Sequence, residues 1–345
     1  MKLLLFSDVH LGVRRNSLLY MEIIEKFFKN IHDVIQNEKI DHIWILGDLF
    51  EDQHFINSYI LNKAFAIFDD LLNNFKNLHI NIITGNHDMY FKNDLSITSL
   101  KMFMNYHKNL KIINKIEEVD YNGYKVIAYP WLFKNSEESK QFKENTKSYD
   151  LCLGHFDITG FELIKGVEYS GGMVVDDFKY YDMVFSGHFH IKQTRGKINY
   201  CGCPYELNWG DCNDEKGVYV IDTNTKNVKF IKNDYSPKHI KAKCSQVDYS
   251  NITNNFIKLF IDIPIKDDVR LNIITKIESL NPLELLIEDE IEGIEDTLEE
   301  IDDEQFEGNE VQYINKYIDQ IILNDPIITK DDLKLYAKSL YDKNL

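Results

Sequence analysis

The sequence predicts a mixed α/β fold: a two-sheet sandwich flanked by helices, with a small α+β cap and a C-terminal helix pair appended. Three observations carry that expectation. Short apolar runs at 3–6, 42–46 and 80–84 alternate with helical periodicity at 18–37 and 57–74, a βαβαβ pattern whose strands should be parallel and buried on both faces. Further strand-like runs follow at 125–129, 150–153, 183–185, 198–200, 217–221 and 228–231, and the short spacings among the last of them favour hairpins. After Pro237 the texture shifts to a strand-like run at 257–263, a helix over about 269–280 and a second strand-like run at 283–287.

These shifts divide the chain into a main domain over 1–236, a capping unit over 237–287, an acidic linker over 288–310 and a helical segment over 311–345. The linker holds 13 Asp and Glu and no Lys or Arg, a composition that favours a solvated tether. Of the formal charge of -17, only -4 therefore falls on the rest of the chain. A nucleic-acid partner is not strongly repelled, but no basic stripe is evident, so affinity has to come largely from metals and from a partner. Within the last segment Val311, Ile314, Ile318, Ile321 and Ile322 share one helical face, and Asn324-Asp325-Pro326 ends it. Thr329 with Asp332 marks a new helix start, and Leu333, Tyr336, Ala337 and Leu340 form a second apolar stripe.

Several classes are excluded. The five cysteines are odd in number, scattered and without a Cys-x-x-Cys pair, which fits reduced thiols in a cytoplasmic setting, a host cytoplasm if the chain is phage-encoded. The opening apolar run stops at Asp8, shorter than a secretory segment, and no run is long enough to cross a bilayer. With no Gly-x-x-x-x-Gly-Lys-Ser/Thr loop, any use of ATP must lie on another chain.

Five strand candidates end alike, with an apolar run, a small residue and then a metal-capable side chain. Leu-Leu-Leu-Phe-Ser leads into Asp8-Val9-His10, Ile-Trp-Ile-Leu-Gly into Asp48, and Ile-Ile-Thr-Gly into Asn86-His87-Asp88. Leu-Cys-Leu-Gly leads into His155, and Val-Phe-Ser-Gly into His188-Phe189-His190. One Gly-Asp or Gly-His at a strand end is usually turn chemistry. Five in succession place ligands at the carboxyl ends of neighbouring strands, where open α/β sheets build their sites. Carboxylate, amide oxygen and imidazole without thiolate suit manganese, iron or zinc, and seven ligands with one bridging suffice for two ions.

Taken together, these motifs resemble those of the calcineurin-like metallophosphoesterase superfamily: Asp-x-His, Gly-Asp, Gly-Asn-His-Asp/Glu, Gly-His and Gly-His-x-His, all present in order. The resemblance implies that Asp8, His10 and His190 hold one metal, that Asn86, His155 and His188 hold the other, and that Asp48 bridges them. It also implies that His87 stands beside the scissile phosphate as proton or hydrogen-bond donor to the leaving oxygen, oriented by Asp88. Two cations about 3.5–4 Å apart neutralise a phosphodiester and activate water.

Within the superfamily the chain is similar to the SbcD-type DNA repair nucleases, particularly those of T-even-like bacteriophages. Asp8-Val9-His10-Leu11-Gly12, Gly47-Asp48-Leu49-Phe50, Pro130-Trp131 and Tyr200-Cys201-Gly202-Cys203-Pro204 carry this narrower match. It implies manganese, a 3′ to 5′ duplex exonuclease with single-strand endonuclease action, and roles in recombination, repair or replication. It also implies a homodimer within a heterotetramer, partnered by an SbcC-type coiled-coil ATPase that grips the helices near 311–341. One departure is Glu51, where many relatives carry histidine. Arg14, Arg15, Lys192 and Arg195 flank the first and last metal loops and are candidates for DNA phosphates, or else ordinary solvated charge. Trp131 and Trp209 read as packed aromatics. Two other readings stay open: a small-molecule or phosphoprotein hydrolase with the same centre, and an inactive scaffold, against which all the ligand histidines are retained.

Overall fold

The computed structural model describes residues 1–289 together with 318, 329–331 and 333–335. Most of the acidic linker, and Val311, Ile314, Ile321, Tyr336 and Leu340 of the two apolar stripes, lie outside the described residues. The chain divides into two compact units, one of residues 1–207 and 213–237, the other of 208–212 and 238–345.

In the first unit two six-stranded sheets stack. One runs in the order Asn227–Lys232, Gly217–Asp222, Lys2–Phe6, His42–Ile45, His79–Ile83, Leu110–Ile113. Its last four strands are parallel, and the first two join as an antiparallel hairpin. The other runs Gln193–Arg195, Ile198–Tyr200, Tyr181–Gly187, Tyr149–His155, Tyr124–Ala128, Glu117–Tyr121, parallel through its four central strands and antiparallel at both edges. Alternate side chains from both sheets, among them Leu3, Leu5, Trp44 and Leu46 against Val126, Ala128, Leu151 and Leu153, form one buried core. The opposite pleat is covered too: the Phe6 ring lies 5.4 Å from Phe27 and 6.0 Å from Phe28 on the helix Leu18–Glu38. Burial on both faces is why these strands read as unbroken apolar runs.

Side chains start the flanking helices. Ser17 accepts the Tyr20 N–H, and Asn57 accepts the Tyr59 N–H ahead of the helix Ser58–Asn74. The hairpin expected from close spacing forms between Gly217–Asp222 and Asn227–Lys232. It does not form between Tyr181–Gly187 and Ile198–Tyr200, which lie parallel; Ile198–Tyr200 instead turns back on the short strand Gln193–Arg195. Among the described residues no helix is long and apolar enough to cross a membrane.

The second unit is a parallel three-stranded sheet, His239–Lys243, Phe256–Ile261 and Glu284–Asp289, with the helix Asp267–Glu278 as one crossover. Ile252, Ile257, Leu259 and Ile277 make its core. Trp209 packs edge-on against His239, 4.8 Å away, and His239 stacks on Phe256 at 4.6 Å. Ile318 is buried, Leu333 is half-buried, and the Leu333 N–H donates to the Thr329 carbonyl at 3.2 Å, the spacing of a helical turn.

Candidate metal centre

Each sheet delivers its site residues where an apolar strand ends. Lys2–Phe6 and His42–Ile45 run on into loops stitched side by side: the Asp8 N–H donates to the Gly47 carbonyl, His10 N–H to Asp48, Leu11 N–H to Leu49 and Glu51 N–H to Leu11. Tyr149–His155 and Tyr181–Gly187 pair in register to Gly187 opposite His155, which sets His155 and His188 near each other. Small residues are required at this convergence. A Cβ on Gly187 would meet the Ser7 hydroxyl, the Leu46 carbonyl and the His155 ring, and one on Gly85 would meet the Asp48 carboxylate and amide.

Asp8, His10, Asp48 and His188 themselves have left-handed backbone, with φ of 54°, 49°, 51° and 92°. Each such non-glycine residue costs on the order of 1–2 kcal/mol. Four together are tolerated only because the surrounding hydrogen bonds overdetermine them. The reversal turns the side chains at the strand ends into a common crevice.

The geometry brings together all seven expected ligands. Ligand atoms of Asp8, His10 and His190 lie within 4.8 Å of one another, and those of Asp48, His155 and His188 form a second such group. Asn86 Oδ1 sits 3.0 Å from His155 Nε2 and 3.1 Å from His188 Nδ1. His155 Nε2 also lies 3.1 Å from Asp48 Oδ2, and His10 Nε2 faces His190 Nε2 at 3.1 Å. Asp48 Oδ1 accepts the His87 N–H at 3.0 Å, and Asp8 Oδ1 accepts the His188 N–H at 3.0 Å. Asp8 Oδ2 is buried without a hydrogen-bond partner.

These contacts test whether the residues suit metal. His155 Nδ1 donates to the Leu46 carbonyl at 2.7 Å, so in the neutral ring Nε2 is a bare lone pair. It faces two oxygens, Asn86 Oδ1 and Asp48 Oδ2, so the point between the three atoms calls for a positive charge, which a proton on Nε2 or a metal ion can supply. With Asp8 Oδ2 unpaired beside them, the donor set fits divalent ions. The electrostatics agree. Burial opposes a charge on His155, yet Asp48 beside it pulls the ring up to about 9; burial likewise opposes a charge on His10, and Glu51 overrides it, to about 10. Asp48 is held well below the carboxylate range by His155 and His87 despite its burial. Burial and the neighbouring His155 charge press His188 down to about 3. His10 and His155, each beside a carboxylate, are thus drawn toward the charged form, while burial and those charges push His188 and His190 away from it.

Three expectations change. Asp88 was expected to orient His87; instead its buried carboxylate accepts the backbone N–H groups of Asp48, Leu49, Phe50 and Gly85. It braces the loop that carries Asp48, and His87 Nδ1 is held by the Glu51 carbonyl at 2.8 Å. Of the basic residues, Arg14 donates to the Leu207 carbonyl, Lys192 pairs with Glu215 at 2.6 Å, and Arg195 pairs with Glu168 at 2.7 Å, while Arg15 is exposed. Three of the four candidates for phosphate contact are therefore already engaged by protein groups. Trp131, expected only to pack, forms a wall of the site: its ring centroid is 4.9 Å from that of His188 and 5.8 Å from that of His155. Lys216 is a neighbour of the candidate ligands that motif reading does not single out, and Glu51, noted there only as a departure, meets His10; each reaches its histidine through a contact far along the chain.

A sandwich of two mixed sheets, with carboxylates, an amide and imidazoles converging at the strand ends in two metal-capable groups, defines a metal-dependent phosphoesterase. The chain belongs to the calcineurin-like phosphoesterase family, whose pattern matches residues 1–192. It is 30% identical to exonuclease subunit 1 of Enterobacteria phage T4, an alignment covering 99% of this chain and 98% of that protein. It is 22% identical to the DNA double-strand break repair protein Mre11 of Nanoarchaeum equitans, over 63% of this chain and 64% of the relative. Among solved structures, the nuclease MPE of Pseudomonas putida aligns with 57% of this chain and 66% of its own at 18% identity, with a TM-score of 0.26.

Proposed function

We propose that this chain is the nuclease subunit of a DNA-processing complex, hydrolysing DNA phosphodiesters with two divalent cations, manganese above all, in concert with a coiled-coil ATPase of the SbcC type. The observation that carries the reading is the pair of facing ligand groups, Asp8, His10 and His190 on one side and Asp48, His155 and His188 with Asn86 on the other. Similarity to a phage exonuclease subunit over the full length supports DNA as substrate and a partner subunit as companion.

In this reading Asp8, His10 and His190 hold one ion, Asn86, His155 and His188 the other, and Asp48 lies between. Bound there, two divalent cations supply charge neutralisation for the phosphodiester and activation of a water. The chain's own groups do the rest. The Leu46 carbonyl fixes the His155 tautomer, the His87 and His188 amides hold one oxygen each of Asp48 and Asp8, and Trp131 backs the imidazoles. His87 gives its Nδ1 proton to the Glu51 carbonyl, so it is as the doubly protonated imidazolium that the ring also carries a proton on Nε2 to give to the departing alkoxide. Arg15, exposed beside the first loop, is the basic residue best placed for a backbone phosphate. The segment over 311–345 serves as the attachment for the ATPase, and a symmetric dimer of the nuclease completes a heterotetramer in the cytoplasm, the host's if the chain is phage-encoded.

The test is purified protein on end-labelled duplex and single-stranded DNA, with manganese or magnesium, with and without the co-expressed ATPase. Manganese-dependent 3′ to 5′ degradation of duplex and cutting of single strands are expected. Hydrolysis of an aryl phosphodiester with no cleavage of any DNA would overturn the assignment, and deletion of 311–345 that leaves the ATPase bound would remove the docking role.

A further inference from the structure

We infer that Glu51 is a positioning residue whose carboxylate locks His10 in place and so sets the affinity of the cation held by Asp8, His10 and His190; this rests on the metal assignment above. Glu51 Oε2 lies 2.6 Å from His10 Nδ1, an ion-pair contact whose N–H is not aligned for a hydrogen bond in this geometry, while the other ring nitrogen, Nε2, faces His190. The His10 side chain is 1% exposed and that of Glu51 17%, so the contact is mostly shielded from water. A neutral imidazole that gives its Nδ1 proton to a carboxylate presents Nε2 as a lone pair in a fixed direction and is a stronger base there. The backbone makes the contact inevitable. The Glu51 N–H donates to the Leu11 carbonyl at 3.0 Å, and Leu11 forms a parallel bridge with Phe50, so the residue after Phe50 is delivered beside the His10 ring.

Glu51 could instead be read as a ligand, since its oxygen lies in one group with nitrogens of His10 and His87. The contacts argue otherwise. His10 Nδ1 is turned to the Glu51 carboxylate and His87 Nδ1 to the Glu51 carbonyl at 2.8 Å, which leaves this trio without two lone pairs aimed at a shared ion. The one residue therefore steadies two histidines, His10 through its side chain and His87 through its main chain. Substitution of the side chain separates the two effects.

The experiment titrates the full-length protein with manganese, reading affinity by competition with a fluorescent chelator and stoichiometry by elemental analysis, for Glu51→Gln, Glu51→Ala and Glu51→Asp. Loss of such an outer partner weakens a metal site about 10–100-fold. Glu51→Ala is expected to weaken one of the two ions by about that factor and leave the other unchanged, with Glu51→Gln weakened less and Glu51→Asp partly restored. Thermal unfolding of the metal-free protein separates packing from positioning: Glu51→Gln keeps the size of the side chain and should melt as the parent does. Two wild-type affinities in Glu51→Ala would overturn the proposal, as would equal weakening of both ions with a lowered metal-free melting point. Failure of the underlying assignment shows differently: Asp8→Ala and His155→Ala would both still bind two ions as the parent does.

Discussion

His155 gives its Nδ1 proton to the carbonyl of Leu46, 2.7 Å away, and the same carbonyl accepts the Ser7 hydroxyl at 3.0 Å. A main-chain atom at the end of His42–Ile45 therefore dictates which nitrogen of a histidine on the other sheet faces the crevice. His155→Ala removes a ligand and leaves Asn86 and Asp48 without the imidazole between them. One of two ions should be lost by elemental analysis, and turnover should fall by more than about 100-fold, the upper range for losing a mere outer partner. Full occupancy of both sites in the variant would show that His155 is not a ligand.

His87 predicts the opposite pairing of effects. Its backbone N–H supports Asp48 and its ring is tied to the Glu51 carbonyl, neither of which a ligand role would require. His87→Ala keeps the backbone N–H. Metal content should stay at the parent value while kcat falls about 10²–10⁴-fold, the usual worth of a positioned proton donor. Metal loss measured in the same preparation would contradict the role.

The convergence of the seven candidate ligands was legible in the sequence because the backbone forces the pattern. Strands buried on both faces must read as apolar runs, and Gly85 and Gly187 must be glycine because a Cβ there would strike Asp48 or Ser7 and His155. What stayed hidden depends on pairing across long separations. Nothing near Glu51 announces that it meets His10, because the contact follows from the Leu11–Phe50 bridge. The charged edge strand Glu117–Tyr121 has too little apolar alternation to register, and it forms because Tyr124–Ala128 offers it a ladder. Asp88 carries a catalytic-looking motif position, yet four backbone amides claim its carboxylate.

Acid sensitivity should have one identifiable source away from the metals. His42 stacks on His79 at 4.9 Å, and its buried Nδ1 has no hydrogen-bond partner. Burial, then the His79 charge, lowers its pKa to about 4. In the unfolded chain the ring titrates near about 6.5. Between those values the unfolded state takes up a proton that the folded state refuses, so this contribution is full above about pH 6.5 and is lost as pH falls toward about 4. Allowing for solvent screening of a partly exposed ring, the loss is on the order of 1–2 kcal/mol. Urea unfolding at about pH 7 and about pH 5 checks it: His42→Gln should flatten the difference, and an unchanged slope would place the sensitivity elsewhere.

Lys216 makes the last prediction. Its side chain is 4% exposed, yet it is a cation: Nζ donates to the His190 carbonyl at 2.9 Å and lies 3.5 Å from an oxygen of Asp214, whose other oxygen meets Lys165 at 2.7 Å. A buried charge is retained at a cost, and removing one partner strands the other, which typically costs about 3–5 kcal/mol. Because Lys165 still faces Asp214 in Lys216→Met, a loss at or just below the bottom of that range, about 2–3 kcal/mol, is expected in denaturant unfolding of the metal-free protein. The double variant Lys216→Met with Asp214→Asn should recover part of that loss, since the stranded carboxylate is then gone. The carbonyl that Lys216 holds belongs to a proposed ligand, so the single variant should also weaken the ion shared with Asp8 and His10, and the double variant should not repair this. A loss under about 0.5 kcal/mol, the range of an ordinary surface change, would mean that the buried ammonium does not hold the last metal loop in place.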